Sequence, residues 1–510
     1  MPFFFFGVPW ALGSLVFYRI ALHPFRNYPG PFLSKICGLP TLYHAWKGDL
    51  HYHLYHLHCK YVRYSPNKLS INDGQALNDI YGFNKNCEKP EKFYSAFRVN
   101  KHAINTFNTS SKEDHRRKRR IMAKGFSDWA LATYHDAISE PVTALATKLG
   151  ASGLSPEWRA FNWAHEANCL MLDIMGRLCF GAAFGFIDGK GDQLLPDFHR
   201  RALRIYMTAH EPLLKELYVD RILFPQLFTA NTVLADYARS YTMQRVNKYR
   251  AVEGVQEVAA HQDILSHLLD ARDEETNSVY SDNELLGEAI LLLMAGSDTT
   301  STTLTSTIFY LVHHQSVLGK LRAELYDTFK CASDIDVLAA ENCKYLRACI
   351  DEAMRLCPPS PTNIPRRVGQ GSMKICESFY PEGVYVGVPN FSLFRNEEYF
   401  KQPHAYLPER WIVDSSTGVD EEQVNLSRSV FKPFSLGPRH CIAQRLALKE
   451  VTYVIAKLVY LLDFRIVGDS GKLARDTLPG VGSHLVLEQI DVFTSLENGP
   501  MIEWRQRLKE

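Results

Sequence analysis

Cys441 stands where a cysteine can do more than pack. It closes the run Phe434-Ser-Leu-Gly-Pro-Arg-His-Cys441-Ile-Ala443, which follows Lys432 and Pro433. Beyond it, Leu446, Val451, Val454, Ile455 and Leu458 recur at helical spacing. A cysteine at a helix start meets the positive end of the helix dipole and unpaired backbone N–H groups. Both favour the thiolate, the form that binds metal. Gly437-Pro438 supplies a tight turn ahead of it. Phe434 could cover a flat apolar ligand, and Arg439 could pair with a carboxylate on that ligand.

Other constellations carry chemistry of their own. Glu352-Ala-Met-Arg355 places opposite charges three apart, on one helix face, just before the helix must end at Cys357-Pro358-Pro359. Pro408-Glu-Arg410-Trp411 comes shortly before the Cys441 loop. His115-Arg-Arg-Lys-Arg-Arg120 reads first as a patch for nucleic acid or anionic lipid. On a helix, however, His115 and Arg119 share one face. Arg116, Arg117, Lys118 and Arg120 are then solvated charge, or attract an acidic electron donor by long-range steering. Ser281-Asp-Asn-Glu284 resembles a capping box that opens a long apolar helix leading into Ala295-Gly-Ser-Asp-Thr-Thr300. Gly296 costs such a helix about 1 kcal/mol relative to Ala. With hydroxyl residues following, it marks a place for the helix to loosen. Asp298-Thr299 is either a self-satisfied polar kink or an acid–alcohol pair that moves protons.

The elements that position these residues are mostly helices. Periodicity of 3.6 residues runs over 133–149, 162–180, 233–252, 282–327, 343–356 and 441–461. Alternation is limited: Tyr61–Ser65 and Lys68–Asn72, around Pro66-Asn67, predict a hairpin, and Val384–Val388 and Leu485–Glu488 predict short strands. The 510 residues exceed a usual domain of roughly 150, yet no linker, charge block or composition shift divides them. A net charge of +1 argues against a global attraction to nucleic acid. The 11 cysteines, odd in number and without CxxC pairs, fit a reducing compartment and not a disulfide scaffold. At the amino terminus, Met1–Tyr18 carries no charged side chain. With Ile20–Leu22 added and Arg19 snorkelling, it reaches the length of a membrane anchor. The basic flank after it places the body in the cytosol, and Tyr28-Pro-Gly-Pro31 is a stiff joint. The sequons at Asn108, Asn390 and Asn425 would then stay unmodified.

The Cys441 loop resembles the haem-binding motif of the cytochrome P450 family, Phe-x-x-Gly-x-Arg-x-Cys-x-Gly. Phe434, Gly437, Arg439 and Cys441 match it, and Ala443 replaces the final glycine. One cysteine after a loop is usually a structural thiol; four matched positions make Cys441 the expected iron ligand. Ala295–Thr300 is similar to the family's oxygen-activating element. The resemblance implies that Thr299 places a hydroxyl at the oxygen-binding site, that Asp298 relays protons from solvent, and that Gly296 leaves room for oxygen. It also implies that Glu352, Arg355 and Arg410 lock together on the proximal side, Trp411 replacing the usual Phe. His115, Arg119 and Arg366 become ligands for haem propionates. The implied fold is mainly α with a minor β region. A membrane anchor (1–22) and a proline-rich joint (23–40) would precede one catalytic domain (41–510).

The implied protein binds haem b and sits in the endoplasmic reticulum membrane by a single pass, its catalytic domain cytosolic. It takes electrons from an NADPH–cytochrome P450 reductase and inserts one atom of O2 into a lipophilic molecule. Local texture resembles filamentous-fungal members that act in secondary metabolism on polyketides, terpenoids, alkaloids or aromatic acids. Substrate-facing residues are expected after Phe97, at 200–212, at Leu292–Ala295, at Thr362–Ile364 and at Val481–Ser483. Two rival readings are a haem-thiolate isomerase or dehydratase, and a non-catalytic haem-binding protein. The Asp298-Thr299 pair opposes the first, and the retained Thr299 and Glu352 oppose the second.

Overall fold

The computed structural model describes residues 2–150, 157–251, 263–468 and 485–507. Helix α1 (Pro2–Phe17) changes at Tyr18 to a wider helical turn that ends at Leu22. The Arg19 guanidinium does not extend away from the protein; it donates to the Ile36 carbonyl at 2.5 Å. No helix among the described residues is long and apolar enough to cross a membrane. Tyr28–Pro31 is non-helical, and Pro29 accepts a hydrogen bond from the Arg63 N–H at 2.7 Å.

Arg63 lies on β1 (Tyr61–Ser65), which pairs with β2 (Lys68–Ile71) across Pro66-Asn67 as the alternation predicts. Three more strands, β3 (Cys87–Glu88), β4 (Arg366–Val368) and β5 (Tyr385–Gly387), complete a sheet in the order β1-β2-β5-β4-β3. Leu485–Glu488 is not a strand. Val486 and Leu487 are buried, Val486 against Phe391, but only Leu487 makes a bridge, and the paired strand begins at Ile490.

Helices make up most of the body: α2 (Lys112–Lys124), α3 (Trp163–Phe180), α4 (Leu195–His210), α5 (Pro225–Ala251), α6 (Asp282–His313), α7 (Lys344–Leu356) and α8 (Gln444–Leu461). α6 is the spine, packed by α3, α5, α7 and α8. Its start is the expected capping box, Glu284 N–H to Ser281 and Ser281 N–H to Glu284. The periodic stretch 282–327 is two helices, not one. His313 and His314 turn their Nδ1 atoms onto the carbonyls of Phe309 and Tyr310, and His314 leaves helical geometry before the next helix starts at Gln315. α3 is buried on nearly every side and tied to α6 by Trp163 Nε1–H donating to the Leu304 carbonyl at 3.2 Å.

The tightest polar knot lies at α7. Glu352 is fully enclosed and accepts from Arg355 Nε at 3.0 Å, Arg355 Nη2 at 2.9 Å, Arg410 Nε at 2.9 Å and the Leu407 N–H at 3.0 Å. A fifth donor is Trp411 Nε1 at 3.0 Å. Trp411 is therefore more than an aromatic substitute, because phenylalanine has no such N–H. Burial alone would raise the Glu352 pKa; Arg355 and Arg410 more than offset it, and the carboxyl sits below its usual range. The remaining Arg355 donors reach the carbonyls of Phe394, Pro403 and Ala405. Those of Arg410 reach Lys401 and Gln402. Replacing Glu352 with Gln leaves two buried guanidiniums short of a counter-charge, a loss of about 3–5 kcal/mol. Trp411→Phe removes one bond to a charged acceptor, about 1.5 kcal/mol. Denaturant midpoints followed by circular dichroism check both. Equal losses in the two variants would show that charge is not what holds the knot.

Candidate active site

Between Phe434 and Cys441 the chain makes a compact loop closed by the Cys441 N–H donating to the Phe434 carbonyl at 2.9 Å. Ser435 and Gly437 take left-handed backbone, φ 60° and 71°. A Cβ at Gly437 would lie 2.0 Å from the Tyr81 carbonyl oxygen, so only glycine fits where the loop meets the helix Gly74–Tyr81. Cys441 does not open α8, as the spacing predicts; it stands three residues before Gln444, ahead of a turn at Ile442-Ala443. Burial raises the thiol pKa, opposed by the Ala443 N–H and by Arg119, and the net direction is up. The loop alone thus leaves a thiol, and thiolate formation is coupled to metal binding. Ala443 has φ −88° and ψ 11°, a conformation that does not require glycine.

Cys441 is surrounded by protein yet has accessible surface, because it opens into an internal cavity of about 370 Å³. Phe434 and Cys441 line one wall; Ala295, Gly296, Asp298 and Thr299 of α6 line another. Among the basic side chains that also line it, Lys89, His115, Arg119, Arg366 and Arg439 form one cluster of five. Arg439 donates to the carbonyls of Thr109 (2.9 Å) and Ser111 (3.2 Å). Arg366 donates to Tyr94 Oη at 3.0 Å. Arg119 grips the thiol loop through the His440 carbonyl (2.9 Å) and ring, and Lys89 donates to the Phe107 carbonyl.

Among the described residues none of the five forms an ion pair. Their crowding shows in their protonation. Burial, then Arg439, Lys89, Arg119 and Arg366, lowers His115 to about 2. Burial with Arg366 and Arg439 drives Lys89 well below its usual value. Buried cations without counter-charge are costly, and an anion at this rim would relieve them. One thiol, an aromatic wall and an unbalanced cationic rim fit an iron porphyrin with two carboxylates.

On α6, Thr299 Oγ1 donates to the Ala295 carbonyl at 2.7 Å while remaining open to the cavity. Asp298 is buried and accepts from Thr494 Oγ1 at 3.5 Å. Burial pushes its pKa up to about 7, against Thr494 and Arg201. The expected loosening at Gly296 is absent: α6 runs through it as α-helix, the Ser297 and Thr299 hydroxyls bonding back to Leu293 and Ala295. Gly296 lines the cavity, but its lack of a side chain also serves packing, since a Cβ would lie 2.6 Å from Met175 Sδ on α3.

Gly437 stands behind the loop, and Glu352, Arg355 and Arg410 stand apart from the cavity. Of the basic run, three members are ion-paired: Arg117 and Lys118 with Glu284, and Arg120 with Asp273 and Glu275, Lys118 alone being fully enclosed. Asn108 and Asn390 are buried. Arg201, Ala202, Ile205, Met294 and Ile364 line the cavity inside the expected substrate segments, and Phe97 lines it just before another. Val481–Ser483 lie outside the described residues. Sequence reasoning missed Lys89, which has no motif around it. It also missed Val492–Thr494, at the tip of the hairpin Ile490–Leu496, where Phe493 has φ 86°.

The cytochrome P450 family model matches residues 64–490. The chain is 34% identical over 504 residues to the cytochrome P450 monooxygenase AFT11-1 of Alternaria alternata, covering 97% of this chain and 95% of that one. It is 32% identical over 507 residues to the cytochrome P450 monooxygenase poxM of Penicillium oxalicum, covering 98% and 93%. The retinoic acid-bound cyanobacterial CYP120A1 shares the fold with a TM-score of 0.72 at 19% identity, covering 94% and 99%.

Glu450, on α8 at the cavity wall, gives a pH test. Its Oε1 is enclosed without a partner, and burial pushes the carboxyl up to about 8 from 4.5. The folded state then holds a proton that the unfolded chain releases, so stability falls as pH rises through that window. Glu450→Gln is expected to flatten the slope and to add about 2 kcal/mol at pH ~8. Denaturation midpoints at both ends of the window check it.

Proposed function

This chain belongs to the cytochrome P450 family, and from that premise we propose that it is a haem-thiolate monooxygenase acting on a lipophilic small molecule in fungal secondary-metabolite biosynthesis. The observation that carries this reading is one cavity holding the Cys441 thiol, the Asp298-Thr299 pair and a cationic rim without acids. The relatives named monooxygenases, and the retained acid–alcohol pair, favour oxygen insertion over isomerisation or passive haem binding.

Haem, when bound, would supply the oxygen activation, and a cysteine thiolate on its iron would donate electron density to it. We assign the thiolate to Cys441, with Phe434 against the ring and Gly437 permitting the loop. His115, Arg119, Arg366 and Arg439, joined by Lys89, hold the carboxylates of the porphyrin. Thr299 presents a hydroxyl whose bond to Ala295 can be exchanged for one to a ligand. Asp298, titrating near neutrality, replaces the proton that Thr299 passes on. Glu352, Arg355 and Arg410 hold the proximal side rigid. Electrons come from NADPH through a flavoprotein reductase.

The body, from residue 41, is attached to the endoplasmic reticulum membrane on its cytosolic face. α1 alone is 16 residues, about 24 Å, short of the roughly 30 Å hydrocarbon core. Continuation through Leu22 would supply the remainder once Arg19 is released from the Ile36 carbonyl. Exposed Phe32, Leu33, Leu39 and Trp46, together with Leu217, Ile222 and Leu223 beyond α4, give an apolar surface for the bilayer; the helix Leu39–Lys47 packs on α4 and brings the two groups near each other.

The reduced protein is expected to show a strongly red-shifted Soret band with carbon monoxide, and Cys441→Ser to lose it. Folded protein with haem but without that band would overturn the reading. Thr299→Ala is expected to keep the band while product per NADPH falls about tenfold or more, the remainder lost as peroxide. Unchanged coupling would remove Thr299 from the proton path.

A further inference from the structure

Buried arginines in this protein satisfy their charge in recognisable ways. Arg355 and Arg410 share Glu352, Arg245 pairs with Asp263 at 2.7 Å, and Arg204 pairs with Asp220. Arg63 and Arg395 direct donors onto backbone carbonyls. Arg201 does neither. It is 2% exposed and lines the cavity on α4, but among the described residues its only hydrogen bond is Nη1 to Asn231 Oδ1 at 2.7 Å. Among the described residues no carboxylate pairs with it. Its other nitrogens are not sealed by protein either, since none is among the enclosed atoms that lack partners.

Arg201 is also distinct from the cationic rim. The charges that act on it are Arg204 and Asp298, whereas those acting on His115 are Arg439, Lys89, Arg119 and Arg366. Of the charges along the cavity it is therefore coupled to Asp298 of α6, and Ile205, Phe493, Met294 and Thr494 line the same cavity. A guanidinium that burial does not neutralise, facing such a space, is a planar two-pronged donor without an acceptor.

Resting on the monooxygenase reading above, we infer that the substrate is a lipophilic carboxylic acid whose carboxylate binds Arg201 while its apolar remainder extends past Ala295 and Thr299. Asn231 holds the guanidinium in place and leaves the other donors for the substrate. A neutral ester of the same molecule lacks the charge that Arg201 needs.

The test uses ferric holoenzyme and probes that fix one end at the iron: ω-(imidazol-1-yl)alkanoic acids of graded length and their methyl esters. Imidazole ligation shifts the Soret band, so each titration yields an affinity for acid and ester alike. At one or more lengths the acid is expected to bind about tenfold tighter or more than its ester. Arg201→Gln should bring that ratio near one without weakening the ester. Asn231→Asp, which supplies Arg201 with an internal carboxylate, should do the same. A ratio near one at every length in the unmodified enzyme overturns the proposal, as does a preference that survives both variants. If Arg201 serves Asp298 instead, Arg201→Gln alters the pH dependence of NADPH coupling and leaves the acid-to-ester ratio intact; that result also overturns it. Loss of the carbon monoxide band in the same preparation would overturn the underlying reading, and it is read independently of the ratio.

Discussion

A carboxylate with no access to water must find its solvation in the protein, and Glu352 finds it in five donors drawn from four residues. That requirement fixes more than a salt bridge. Arg355 carries the constraint to the chain at 394–405, and Arg410 carries it to 401–402. Trp411 carries it toward the cysteine. Its ring lies 4.7 Å from that of Phe431, which also meets Phe394 at 5.2 Å, and Phe431 is three residues ahead of Phe434. The Cys441 loop thus grows from a segment whose position is set by one buried negative charge. A misplaced Glu352 would move the wall of the cavity, although no atom of it reaches there.

The cavity rim shows the opposite arrangement. At α7 positive and negative charges close on each other and the region is complete. At Lys89, His115, Arg119, Arg366 and Arg439 there are donors and cations but no acid, and the depressed Lys89 and His115 register the resulting strain in electrostatic form. A folded chain tolerates such a cluster when binding supplies the missing charge. If the rim holds the haem carboxylates as proposed, stability and cofactor binding are linked there, while at the knot stability is internal. Arg201 repeats the rim's pattern singly and on another wall. This is why the identity of its partner is a question about substrate and not about fold.

What the sequence made legible was whatever depends on local spacing. The capping box at Ser281, the β1–β2 hairpin, the Glu352–Arg355 pair and the compact Cys441 loop are all set within a few residues. Convergence from distant segments was not legible. Lys89 sits beside β3, Arg201 on α4 and Val492–Thr494 in a hairpin, and only the folded chain brings them to one cavity. Patterns of charge misled for a related reason. Arg117, Lys118 and Arg120 look like a solvated run, but Glu284, Asp273 and Glu275 arrive from well over a hundred residues away. Periodicity ran past His314 because both flanking segments are helical; two histidine rings capping carbonyls carry no periodic signal.

Departures from the family motif separate positions ruled by backbone geometry from positions ruled by side-chain chemistry. Gly437 must be glycine: its φ is positive and a neighbouring carbonyl occupies the space of a side chain. Ala443 stands where glycine is usual, but its backbone is right-handed, so a methyl group brings no backbone strain and suits the helix that follows. Trp411 departs in the other direction. The backbone there accepts either aromatic, and indole supplies a fifth donor to the one acid that the proximal side is built around. The two substitutions therefore preserve the site for different reasons: one because nothing at its position required glycine, the other because the added N–H strengthens the contact that positions the loop.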